Sequence, residues 1–148
     1  MDFEQLAFIE KWRRQALRGV VVRLDGTRGD LIITIRVGEL GERLDLRGRD
    51  ATGAARKARL AIGDRVTMAI EYTARDVSAG AAPGVTGDAV APGAVVEGTV
   101  SAVGETVSVD CGAGAILVRG DTLPGVREGD LVRFTVDGEG AAYLIPTR

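Results

Sequence analysis

The chain has 148 residues, 45% of them hydrophobic and 27% charged, a balance that suits a folded protein and excludes a disordered one. Its net charge of −2 hides an asymmetry: residues 1–76 hold 15 Lys/Arg against 12 Asp/Glu, and residues 77–148 hold 4 against 9. With no histidine and a single cysteine, Cys111, the composition excludes an internal disulfide, a cysteine metal knuckle and histidine-based triads or metal clusters.

The first expected element is an N-terminal helix over residues 1–18. Phe3, Leu6, Ile9, Trp12, Ala16 and Leu17 recur at helical spacing, Phe8 widens the stripe, and Gly19 supplies a stop. Three of the six aromatic residues, Phe3, Phe8 and Trp12, fall here and are the candidates for docking a partner or plugging a barrel end. Early acids and the lack of a long apolar run argue against a signal peptide. No stretch approaches the roughly 18 apolar residues of a membrane span, so the expected location is the cytoplasm, without membrane contact.

From Val20 the hydrophobic period becomes two. "VVVRLDG" and "LIITIRVG" flank a Gly/Asp turn, "ERLDLRG" alternates, "RDATGAARKARL" suggests a short helix through Ala54 to Leu60, and "GDRVTMAIEYTA" resumes as a strand. Residues 78–94 are rich in Gly, Ala and Pro and read as a linker with little capacity for burial. "VVEGTVSAVG", "TVSVDCG", "AILVRG", "DLVRFTVDG" and "AAYLIP" then give five short strands. Cys111 fits as a small buried apolar side chain. The fold class is therefore mainly β: two tandem small OB-like β-barrels with an N-terminal α-helix, the first over residues 19–77 and the shorter second over 95–148.

"IGDRVTMAIE" (residues 62–71) and "EGDLVRFTVD" (128–137) align Gly63-Asp64 with Gly129-Asp130 and Val66, Met68 and Ile70 with Val132, Phe134 and Val136. Glycine tolerates the positive φ of a sharp turn, the aspartate can accept from nearby backbone N–H groups, and the apolar residues alternate inward. The repeat is explained by architecture and needs no ligand.

Gly19-Val20, the Leu60–Val66 turn and the Ala74–Val77 strand together resemble the TOBE/Mop type of OB-like module, found beside transporter ATPases and in small oxyanion-binding proteins. The second half matches the first two of these elements. The resemblance implies the barrel shape. Oxyanion-binding members share a Ser-Ala-Arg-Asn stretch and a Lys-Ala pair, where this chain has "QALRGV" and "EYTARDV"; the donors are missing or replaced by a carboxylate, Glu71. No ligand site is carried over.

No catalytic motif, metal-ligand set or cofactor fingerprint is present, so no catalytic, metal or cofactor residue is assigned and the protein is not expected to be an enzyme. The leading expectation is a non-catalytic binding or assembly module, associating with itself or with a protein partner. The second is RNA or single-stranded DNA binding through Arg43, Arg47, Arg49, Arg56, Lys57 and Arg59, although interleaved acids cancel part of that field and the second and third strands lack aromatic stacking platforms. The third is a small-anion or metabolite module.

Overall fold

Valine, isoleucine and threonine crowd a helical turn but pack well on a pleated surface, and the segments rich in them form strands. The computed structural model describes residues 10, 13, 16–27, 30–38, 43–87, 89–112 and 114–145. In chain order it runs β1 (Leu17–Thr27), β2 (Asp30–Val37), β3 (Leu44–Asp50), α1 (Ala54–Lys57), β4 (Arg65–Tyr72), β5 (Ala74–Ala79), β6 (Gly84–Thr86), β7 (Val95–Ala102), β8 (Thr106–Asp110), β9 (Ala115–Arg119), β10 (Leu131–Val136) and β11 (Gly140–Ile145). Most of the expected N-terminal helix, including Phe3, Phe8 and Trp12, lies outside the described residues. Glu10 and Arg13 are helical. The helix boundary at residue 18 is corrected: Leu17 and Arg18 already pair with Met68 and Thr67 as the start of β1. Among the described residues no helix is long and apolar enough to cross a membrane.

The protein is mainly β, and its barrels are OB-like. β1 pairs with β2, β2 with β3, β3 in parallel with β11, β11 with β4, and β4 back with β1, closing a five-stranded barrel. In the second barrel β7 pairs with β8 and β10, β8 with β9, and β10 with β5. The end of β4 closes it, Glu71 and Tyr72 running parallel to Leu117 and Val118 before the chain continues into β5. α1 bridges the third and fourth strands of the first barrel, and a single 3₁₀ turn at Gly120–Thr122 stands at that place in the second.

Strand pairing crosses the sequence division between residues 19–77 and 95–148. The fifth strand of each barrel comes from the other half: β5 completes the second and β11 the first. Most of the buried side chains accordingly form one connected cluster, running from Val21, Ile33, Ile35 and Met68 through Tyr72 to Val96, Val109, Phe134 and Val136, with Ala69, Leu117 and Ile145 in a smaller separate one. Tyr72 sits at the crossing, fully buried, its hydroxyl 2.9 Å from the Arg47 carbonyl and 3.2 Å from that of Val90, with one proton shared between two acceptors.

The expectation that residues 78–94 form an unburied linker is corrected. Ser78 and Ala79 finish β5, β6 pairs with β7, and Val90 is fully buried, donating to Asp45 O at 2.8 Å and accepting from Arg47 N at 3.1 Å. Small residues suit this path because backbone must pass close to backbone; a Cβ on Gly80 would lie 2.8 Å from the Val132 carbonyl.

The two Gly-Asp turns are built alike. Gly63 and Gly129 have φ of 97° and 91°, Asp64 Oδ2 accepts from Ala61 N at 2.8 Å, and Asp130 Oδ2 accepts from Arg127 N at 2.9 Å. Each turn is stitched to the first strand of its barrel: Val21 N donates to Asp64 O and Gly63 N to Val21 O, as Val100 N does to Asp130 O and Gly129 N to Val100 O. Val66 and Val132, Met68 and Phe134, and Ile70 and Val136 all face inward and are buried.

Candidate anion-binding face

The arginines predicted to follow a nucleic-acid backbone do not form one free surface. β3 turns Asp45, Arg47 and Arg49 outward, and both arginines meet acids from distant segments. Arg47 forks onto Glu139, with Nη2 2.6 Å from Oε1 and Nε 3.1 Å from both carboxylate oxygens, and Arg49 Nε lies 2.8 Å from Asp30 Oδ1. The hydrogen bond from Arg47 to Glu139 is the main reason its pKa rises above the ordinary guanidinium value. Arg56 and Lys57 are exposed on α1, Arg59 follows it with φ of 53°, and Arg43 is exposed before β3. The local cluster in the chain is thus dispersed around the first barrel, and two of its members are neutralised.

A different arginine group forms across strands. Val20 of β1 pairs with Arg36 of β2 on one side and Arg65 of β4 on the other, while Arg18, two residues back on the same face, pairs with Thr67. Arg18, Val20, Arg36, Arg65 and Thr67 line one open groove of about 510 Å³. Arg36 is engaged: Nε and Nη2 donate to Asp45 Oδ1 and Oδ2 at 2.8 and 3.0 Å, and this hydrogen-bonded pairing raises its pKa. Arg18 and Arg65 make no ion pair or side-chain hydrogen bond among the described residues, and both are exposed. Sequence inspection missed the group because its members lie on three strands; strand register alone makes them neighbours.

The same register positions in the second barrel carry different chemistry, with acids where Arg18 and Arg36 stand and Arg133 where Thr67 stands. Thr99 stands for Val20 and pairs with Leu131 where Arg65 would be, Glu97 replaces Arg18, and Asp110 replaces Arg36. Glu97 accepts from Ala81 N at 2.8 Å and Ala82 N at 3.3 Å, and these bonds hold its pKa below the ordinary glutamate value.

The crossings between the barrels present carboxylates. Glu71 Oε2 accepts the Thr106 hydroxyl at 2.7 Å, and its charge, after desolvation, helps raise the Tyr143 pKa. Asp137 lies 3.8 Å from Arg75, which also contacts Asp76 at 2.8 Å. A dianion beside Glu71 would meet like charge. Cys111 is buried, its Sγ 3.2 Å from the Gly114 carbonyl.

No family model matches the chain, and no curated protein matches it. Among solved structures it is similar to the cytoplasmic molybdate-binding protein ModG with molybdate bound. The two share 18% sequence identity and a TM-score of 0.48, over 90% of this chain and 96% of that one.

Proposed function

We propose that this chain is a non-catalytic binding module that takes an anion on the arginine face of its first barrel. The observation that carries the reading is the placement of exposed Arg18, two residues before Val20 on β1, and exposed Arg65, opposite Val20 on β4, beside Arg36 along one groove, neither of the first two in an ion pair among the described residues. Guanidinium groups give charge-assisted, geometrically matched donation to carboxylate, phosphate or other oxyanions. Arg18 and Arg65 stand on the outer surface of a closed barrel, so binding asks for no rearrangement of the core.

The test is titration calorimetry with inorganic phosphate, sulfate and molybdate at low ionic strength. The intact protein is expected to bind at least one of them in a salt-sensitive manner, and Arg65→Ala and Arg18→Ala each to weaken it by about tenfold, or ~1.4 kcal/mol. Equal binding by all three proteins would remove the arginine face from the reading.

A further inference from the structure

We infer that the anion recognised here is organic, a phosphate or carboxylate head carrying a short apolar body. The inference rests on the proposed anion-binding reading and names the ligand class of the same site. A second groove, of about 380 Å³, adjoins the first and shares Arg65 and Thr67 with it, while Ala58, Leu60, Leu144 and Ile145 give it apolar walls. Arg65 therefore stands between a cationic groove and an apolar one.

Two exposed apolar residues of the first barrel bear on the same reading. Val20 is 38% exposed within the arginine row, and Ile62, 68% exposed, lies in the turn that joins Leu60 to Arg65. Apolar side chains scattered singly on a surface need no explanation, but Val20 lies within the cationic row and Ile62 stands three residues before Arg65 in the chain. In the second barrel the corresponding residues are Thr99 and Glu128, and Leu131 replaces the arginine. At these matched positions the pairing of an arginine with exposed apolar neighbours is not repeated in the second barrel. A bare oxyanion, held by its hydration and by the guanidinium groups, gains nothing from the apolar walls. An organic anion can set its head at Arg65 and Arg18 and remove its body from water against Leu60 and Leu144. Charge complementarity at the mouth selects an anionic amphiphile over a neutral one.

Phenyl phosphate and inorganic phosphate share a head group, so comparing them isolates the apolar contribution. For the intact protein, calorimetry is expected to give phenyl phosphate an affinity at least about tenfold above that of inorganic phosphate. Ala58→Gln, which puts a polar side chain into the apolar groove from an exposed position, should bring the ratio of the two affinities close to one, with thermal unfolding confirming that the variant is folded. Arg65→Ala should lower both affinities. Equal affinities for the two compounds, both reduced by Arg65→Ala, would overturn the inference and leave the anion-binding reading standing. A ratio that survives Ala58→Gln would also overturn it. Binding of neither compound would overturn both. Pelleting with anionic phospholipid vesicles, without saturable binding of phenyl phosphate, would assign the face to a membrane surface and overturn the inference as well.

Discussion

The two barrels agree where they face inward and differ where they face out. Val21 and Val100, Val66 and Val132, and Ile70 and Val136 fill matching core positions, and the Gly-Asp turns repeat the same hydrogen bonds. On the outer faces Arg18, Arg36 and Arg65 in the first barrel stand where Glu97, Asp110 and Leu131 stand in the second. The interior is constrained by packing density, which tolerates few changes of volume. The exterior is free to change charge at little cost in stability, and there the duplicated frame acquires two different surfaces.

The strongest way to break the apparent equivalence is at the paired glycines of the first strands. Gly98 is so close to β8 that a Cβ would overlap the Asp110 carbonyl and lie 2.7 Å from Val109 Cγ1, whereas at Gly19 the nearest atom, Arg36 O, is 3.0 Å away. Gly98→Ala is expected to destabilise by about 1–3 kcal/mol. For Gly19→Ala a smaller strain is offset by the roughly 0.4–1 kcal/mol gained from a stiffer unfolded chain, leaving a change near zero. Denaturant unfolding of both variants would measure the difference; equal losses would mean that the first strands pack alike.

The turns should then restore the symmetry. Asp64→Ala and Asp130→Ala each remove one acceptor from one backbone N–H at nearly equal distance. Each is expected to cost about 1 kcal/mol, and Asn at either position to recover most of it. Because β5 and β11 are exchanged, damage to either turn should lower the midpoint of a single shared transition. Two separate transitions in thermal unfolding would contradict the coupling that the exchanged strands and the continuous core imply.

The strands and the Gly-Asp turns are legible in the amino-acid sequence because period-two alternation and turn chemistry are local. The exchange is not: Ala74 of β5 and Ala142 of β11 both oppose the inward residue near the end of a fourth strand, Val136 and Ile70, so either segment suits either barrel by pattern. Only pairing across the whole chain decides between them. Val90 escapes notice for a related reason, since small residues that look like linker are what a close passage between barrels requires. The Arg43–Arg59 group is conspicuous because its members are neighbours in the chain, yet Glu139 and Asp30 arrive from elsewhere to neutralise Arg47 and Arg49. Arg18, Arg36 and Arg65 are inconspicuous in the chain and are brought together only by register.

The smallest expected effect concerns the residue that replaces Arg18. Glu97 holds the Ala81 and Ala82 N–H groups, at the entry to β6, and lies 3.9 Å from Arg133. Those N–H bonds, Ala81 first, lower its pKa, so its contribution is fully present above the ordinary glutamate value of about 4.3 and is lost as the pH falls through the lowered value in the folded protein. On acidification the amide resonances of Ala81 and Ala82 should therefore shift together in one titration below the ordinary glutamate range. Glu97→Gln should abolish that step. A step of equal size in the Glu97→Gln variant would assign the titration to another carboxylate and remove the latch between Glu97 and the approach to β6.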